Sequence, residues 1–195
     1  MFSVRRICFW WVMLGLLTAA PMAVAAEFSA LMMVADGGKV VPGKIYVRDG
    51  KMRQEFSDEE GQTITIVRPD KKVVWVIMPR NRAYMELPLK PQLPGQFIQM
   101  PVGALQKRQV GKDRLQGYEA DKFEVTVRGG SGLEKQHIWV AAKLGMPIKM
   151  ECQERNFSLE YRSIKEGGVA ERLFELPPGY QKLASPPGFA TKLSE

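Results

Sequence analysis

The sequence predicts a mainly β fold: a single curved antiparallel sheet, buried on one face and wet on the other. Three observations carry this. The stretch Gly43 to Leu87 reads as five short strands joined by tight turns. Within it apolar and polar residues alternate with a period of two, which is the signature of a strand buried on one side. The third observation is an apolar, proline-punctuated segment, Pro88 to Gln106, too greasy for a plain surface loop.

Taken in order, residues 1–26 stand apart from the fold. Arg5 and Arg6 form a basic start, Ile7 to Leu17 an apolar core, and Ala23-Val24-Ala25-Ala26 a small-residue cleavage site. That is the pattern of a secretory signal peptide, with cleavage after Ala25 or after Ala26. Cys8 lies at the start of the apolar core rather than at its end, so it is not a lipid-attachment cysteine. The product expected is exported to the periplasm, and after signal cleavage it is not an integral membrane protein. Removing these residues leaves 169, enough for one domain with its own core.

Phe28 to Val34 gives a first strand, followed by a turn at Ala35-Asp36-Gly37-Gly38. Ile45 and Val47 then point one way while Lys44, Tyr46 and Arg48 point the other. Asp49-Gly50 marks a two-residue hairpin, because both central residues of that turn need positive φ. Beyond it Met52 and Phe56 oppose Lys51, Arg53 and Glu55. Thr63 to Val67 and Val73 to Met78 form the next hairpin around Arg68-Pro69-Asp70-Lys71. VVWVIM is apolar on both faces, which places it mid-sheet under a covering segment.

Pro88 to Gln106 is expected to lie across the concave side as a helix-poor cover. Tyr118 to Arg128 alternates cleanly, with Phe123, Val125 and Val127 against Lys122, Glu124, Thr126 and Arg128. Gly129-Gly130-Ser131-Gly132 closes a hairpin into Leu133 to Val140. Lys143 to Pro147 turns into Ile148 to Gln153, and Phe157 to Ile164 follows with Phe157, Leu159 and Tyr161 inward. A short helical turn is expected around Ala170 to Phe174. The domain spans 27–183 and a loosely held tail 184–195, making about ten strands in all.

Composition excludes more than it selects. Signal removal takes the net charge from +7 to +5, because Arg5 and Arg6 are the only charged residues in it. The mild excess, spread along the chain, suits anionic envelope surfaces better than nucleic acid, which is not an expected partner. Cys152 is the only cysteine left, so no intramolecular disulfide forms; it shares an apolar face with Ile148 and Met150 and reads as a buried thiol. His137 is the only histidine and falls on the opposite, polar face, which removes a Cys-His mechanism. One histidine and one cysteine cannot build an ordinary zinc site. Asp58-Glu59-Glu60 reads as a solvated acidic turn, and the Gly129 to Gly132 run lacks the lysine of a phosphate loop. The sequence thus predicts no enzyme, no cofactor and no metal; a hydrolase with carboxylates from distant strands ranks last among the readings.

An ordered set of segments carries a resemblance. It comprises Phe28-Ser29-Ala30, Gly43 to Val47 running into Gly50 to Phe56, Asp70 to Val76, Gly145 to Lys149, and Leu173 to Gly179. In order and spacing, over residues 28 to 182, the chain resembles the LolA-like superfamily of periplasmic lipoprotein-sorting and lipid-binding proteins. The resemblance implies a strongly curved antiparallel sheet, an unclosed barrel, whose concave apolar face holds acyl chains under a lid. The chain differs in lacking room for a helix before its first strand and in its short, helix-poor lid.

Two functions follow. The first is a periplasmic, non-catalytic carrier for a lipid or lipoprotein acyl chain. Its walls are expected from Val47, Met52, Phe56, Ile64, Ile66, Phe123, Val125, Ile138, Met150, Leu159 and Tyr161, with Phe97, Ile98 and Met100 from the cover. Eight methionines beyond the signal suit an adaptable apolar pocket. The alternative is an envelope interaction or sensor protein with a filled core and a protein partner on its outer face.

Overall fold

The structure is a computed structural model that describes residues 26–59, 61–90, 101, 104–129 and 132–184. One twelve-stranded sheet organises all of them. Its strands are β1 (Phe28–Asp36), β2 (Lys39–Arg48), β3 (Lys51–Asp58), β4 (Gly61–Arg68), β5 (Val73–Met78) and β6 (Ala83–Pro88). Then follow β7 (Gln106–Leu115), β8 (Tyr118–Gly129), β9 (Gly132–Ala141), β10 (Met146–Cys152), β11 (Phe157–Glu166) and β12 (Gln181–Leu183). The spatial order is β12-β6-β5-β4-β3-β2-β1-β11-β10-β9-β8-β7, so β7 and β12 are edges and the sheet is not closed into a barrel. Two 3₁₀ turns, Pro79–Asn81 and Glu171–Phe174, are the helical elements of the described chain. No helix among these residues is long and apolar enough to cross a membrane.

Local chemistry sets the pairings. Asp49 and Gly50 both take positive φ, 50° and 74°, as the β2–β3 hairpin turn demands. Lys72 at φ 55° ends the β4–β5 turn, where the Lys71 amide donates to the Arg68 carbonyl at 3.2 Å. Gly129 pairs with Gly132 at the end of the β8–β9 hairpin. The sheet is antiparallel except for its last pair, where β12 runs parallel to β6 for three residues. The five strands read in Gly43 to Leu87 are β2 to β6. The strands expected from the sequence do not include β7 or β12. β7, QKRQVGKDRL, is exposed almost throughout, so it shows no alternation to detect.

Both faces of the β2–β6 half are covered, and differently. Residues 167–183 strap its outer face and end as β12. Ile64, Ile66, Trp75 and Ile77 are buried there with Val169 and Phe174. Arginines on three strands hold the strap through its carbonyls. Arg48 Nη1 donates to Val169 at 2.6 Å, Arg53 Nη1 to Leu173 at 3.0 Å, and Arg68 Nη1 to Phe174 at 2.8 Å. Arg68 is itself buried, and it also pairs with Asp70 and Glu175. A buried charge in contact with two carboxylates and a carbonyl is well compensated. The inner face holds the larger core, one cluster that runs from Leu87 on β6 to Val125 on β8.

Candidate functional site: the inner apolar face

Register resolves the inner face into two rows of side chains. The first crosses six strands as Phe28, Val47, Met52, Val67, Val74 and Leu87, each directly opposite the next. All six are buried, none above 4 % exposed. This half of the sheet is a filled core. The second row runs through β8, β9, β10, β11 and β1 as Phe123, Ile138, Met150, Leu159 and Val34. Ile138 and Leu159 are buried, whereas Phe123, Met150 and Val34 are only half-buried. These three are inward apolar side chains that keep accessible surface.

Of the residues that the sequence proposes as walls, Val47, Met52, Val125, Ile138, Leu159 and Tyr161 are buried in the inner cluster. Phe56, Phe123 and Met150 pack against it half-buried. Phe97, Ile98 and Met100 lie outside the described residues, as does most of the cover segment. Ile64 and Ile66 require correction. They face Ile77 and Trp75 in the outer cluster beneath the strap, on the other side of the sheet from Met52. Side chains alternate along a strand, so the inward residues of β4 are Thr63, Thr65 and Val67.

Gly43 explains how Phe56 fits. It lies between Met32 and Phe56 in register, and a Cβ there would come within 2.8 Å of the Phe56 ring and of the Glu55 carbonyl. The ring therefore lies over bare backbone. Tyr161, fully buried, stacks at a tilt on Phe28 with centroids 6.2 Å apart; burial alone pushes its phenol well above the ordinary range.

Polar side chains interrupt the apolar face, among them Gln54, Glu134 and Gln136. Gln54 Nε2 sits 3.7 Å from the Met32 sulfur and 3.8 Å from that of Met52. Cys152 is buried opposite Gln136, its Sγ 3.9 Å from Glu134 Oε2 and 3.7 Å from Glu154 Oε2. Burial first, and the two carboxylates after it, push this thiol upward. At the other end of the same half, Tyr118 donates to Glu166 Oε1 at 2.8 Å, and Lys143 reaches the same oxygen at 2.7 Å. Burial, then that carboxylate, pushes the Tyr118 phenol up to about 12.

The outer face of the β7–β10 half is mostly polar, with Leu133 exposed near the β8–β9 turn. Trp139 is 4 % exposed although it points outward. Lys122 and Lys149 lie 4.7 and 4.6 Å from its ring centre, and its indole N–H donates to Asp113 at 2.7 Å. His137, on the same outer face, stands 3.8 Å from Glu124 and points away from Cys152. Among the described residues no group of three or more His, Cys, Asp or Glu is placed to hold a metal ion.

The described residues form an open twelve-stranded sheet whose inner face carries the larger apolar cluster and whose outer face carries a second one under the strap. The chain belongs to the family described as Domain of unknown function (DUF4412), which matches residues 30–146. No curated protein matches the chain in sequence. Among solved structures it is similar to an uncharacterized conserved protein from Thermus thermophilus, at 15% identity and a TM-score of 0.57, covering 82% of this chain and 91% of that one. It is also similar to a chain of the Pseudomonas aeruginosa MucA/MucB complex, at 16% identity and a TM-score of 0.53. That match covers 78% of this chain and 56% of the other, so this chain spans little more than half of it. At such identities the likeness is one of fold.

Proposed function

We propose that the chain is an exported envelope protein that binds an acyl chain, of a lipid or a lipoprotein, along the half-buried row on its inner face. One observation carries this reading. Phe123, Met150 and Val34 point inward beside buried Ile138 and Leu159, yet keep accessible apolar surface. A chain laid along them gains ~0.8 kcal/mol per buried CH₂, so ten methylenes contribute several kcal/mol. The residues expected as walls and present on this row are Phe123, Ile138, Met150 and Leu159, joined by Phe56 and Val125 nearby. Phe97, Ile98 and Met100 are proposed to close over them. The resemblance to LolA-like proteins and the basic, apolar start of the sequence support export with cleavage after Ala25 or Ala26. The role is binding and carriage rather than catalysis.

A second reading has its own observation. The six-strand row from Phe28 to Leu87 is a filled core, and the fold is shared with a chain solved in a complex of MucA and MucB. An envelope interaction or sensor protein would then use its outer face. Native mass spectrometry of protein taken gently from its own envelope separates the two. The carrier reading expects a lipid-sized adduct that is lost on activation. A bare chain, with no uptake of added fatty acid, favours the interaction protein.

A further inference from the structure

Two of the polar side chains on the inner face lie together on β9, toward its hairpin with β8 and beside the proposed acyl row. Glu134 and Gln136 are two residues apart on β9, so they share the inner face with Ile138. Val127 stands opposite Glu134, and Val125 and Cys152 stand on either side of Gln136. The Glu134 carboxylate reaches toward both neighbouring strands. Its Oε1 occupies the space that a Cβ at residue 129 would need, and its Oε2 approaches Cys152. Gly129 does not take the left-handed conformation that usually calls for glycine. The missing side chain there makes room for a carboxylate.

Glu134 is 5 % exposed. Among the described residues no lysine, arginine or histidine pairs with it, and its contact is the Cys152 thiol, a weak donor. Beside it the Gln136 Oε1 is buried and meets no donor among the described residues. A buried acceptor without a donor costs about 1–3 kcal/mol, and a charged one more. Two such acceptors, set into an apolar wall, fit a group that brings N–H donors and positive charge. We infer that this end of the inner face seats the protonated amine of an alkyl-chain ligand, with the chain running over Met150 and Phe123. The inference rests on the acyl-binding reading and names the head group that the site prefers.

The test uses displacement of the neutral probe N-phenyl-1-naphthylamine from the whole protein at neutral pH. Competitors are dodecylamine, dodecanoate and dodecanol, which share one chain and differ in the head. Dodecylamine is expected to displace the probe at about tenfold lower concentration than dodecanol, the worth of one charge-assisted hydrogen bond, with dodecanoate weakest. Glu134→Gln should abolish that order while still binding the probe. Gln136→Met, which removes the unpaired acceptor at similar volume, should reduce the amine preference without lowering the melting temperature. Vesicles of phosphatidylethanolamine against phosphatidylcholine, which has no N–H, distinguish a lipid head from a free amine. Probe binding with equal displacement by all three heads, or an amine preference that survives Glu134→Gln, overturns the inference and leaves the acyl row standing. Failure of the wild type to bind the probe at all overturns both.

Discussion

Ile66 on β4 stands opposite Trp75 on β5 in the outer cluster with Phe174, while Val67, next in sequence, stands opposite Met52 on the inner face. Ile66 is fully buried. Its role is therefore to hold the C-terminal strap. Ile66→Ala is expected to cost about 2–4 kcal/mol by transfer and cavity terms. Protease cleavage within 167–183 should accelerate, while the folded fraction keeps its affinity for an acyl probe. Loss of probe binding at unchanged stability would place Ile66 on the ligand side instead.

The strap should also loosen in acid. Arg68 holds the Asp70 carboxyl down to about 2, and Arg68 likewise lowers Glu175. A carboxylate depressed in the folded state contributes stability above its unfolded value, near 4, and loses it as pH falls through the folded value. Stability measured by urea melts is thus expected to fall between about pH 4 and pH 2. Arg68→Met should flatten that limb and cost about 2 kcal/mol at neutral pH, mainly through the orphaned Phe174 carbonyl. An unchanged acid limb in this variant would contradict the assignment.

Gly43 is expected to tolerate no side chain. A Cβ would meet the Glu55 carbonyl and the Phe56 ring at 2.8 Å, and the carbonyl cannot yield. Gly43→Ala should destabilise by about 1–3 kcal/mol, as overpacking does. Pairing it with Phe56→Leu should recover only the ring's part of that loss. A double-mutant cycle with no coupling would show that the ring does not lie over residue 43.

Cys152 should be slow to react. It is 2 % exposed, and burial raises its thiol above the ordinary range. Since the thiolate is the reactive form, labelling with iodoacetamide at about pH 8 is expected to be at least ~100-fold slower in the native protein than in urea. Native labelling at the unfolded rate would show that this end of the inner face opens freely.

The sequence made one half of this architecture plain and blurred the other for physical reasons. Asp49-Gly50 and the alternation of Ile45 and Val47 with Lys44 and Tyr46 fix β2 and β3, because one turn type and one buried face suit them. In β4 and β5 both faces are covered, so Ile64, Ile66 and Val67 look equivalent, and a choice of parity off by one residue moves them across the sheet. β7 hides for the opposite reason: it is wet on both sides. Phe123 and Leu159 were legible because β8 and β11 keep a period of two, through Phe123, Val125 and Val127 and through Phe157, Leu159 and Tyr161. Glu134 and Gln136 were not, since charge and amide are read as outward. The hint was Gly129, a glycine four residues beyond Val125 on the same face.

The central claim is that the half-buried row binds an acyl chain, and photolabelling tests it most directly. A fatty acid with a mid-chain diazirine is bound, irradiated, and the labelled residues are read by peptide mass spectrometry. The account predicts labels on β8, β10 and β1, at Phe123, Met150 and Val34, with Phe56 next. Outer-face residues such as Ile66, Trp75 and Trp139 should carry none. Labels confined to the outer face, or no labelling above that of an unfolded control, would contradict it.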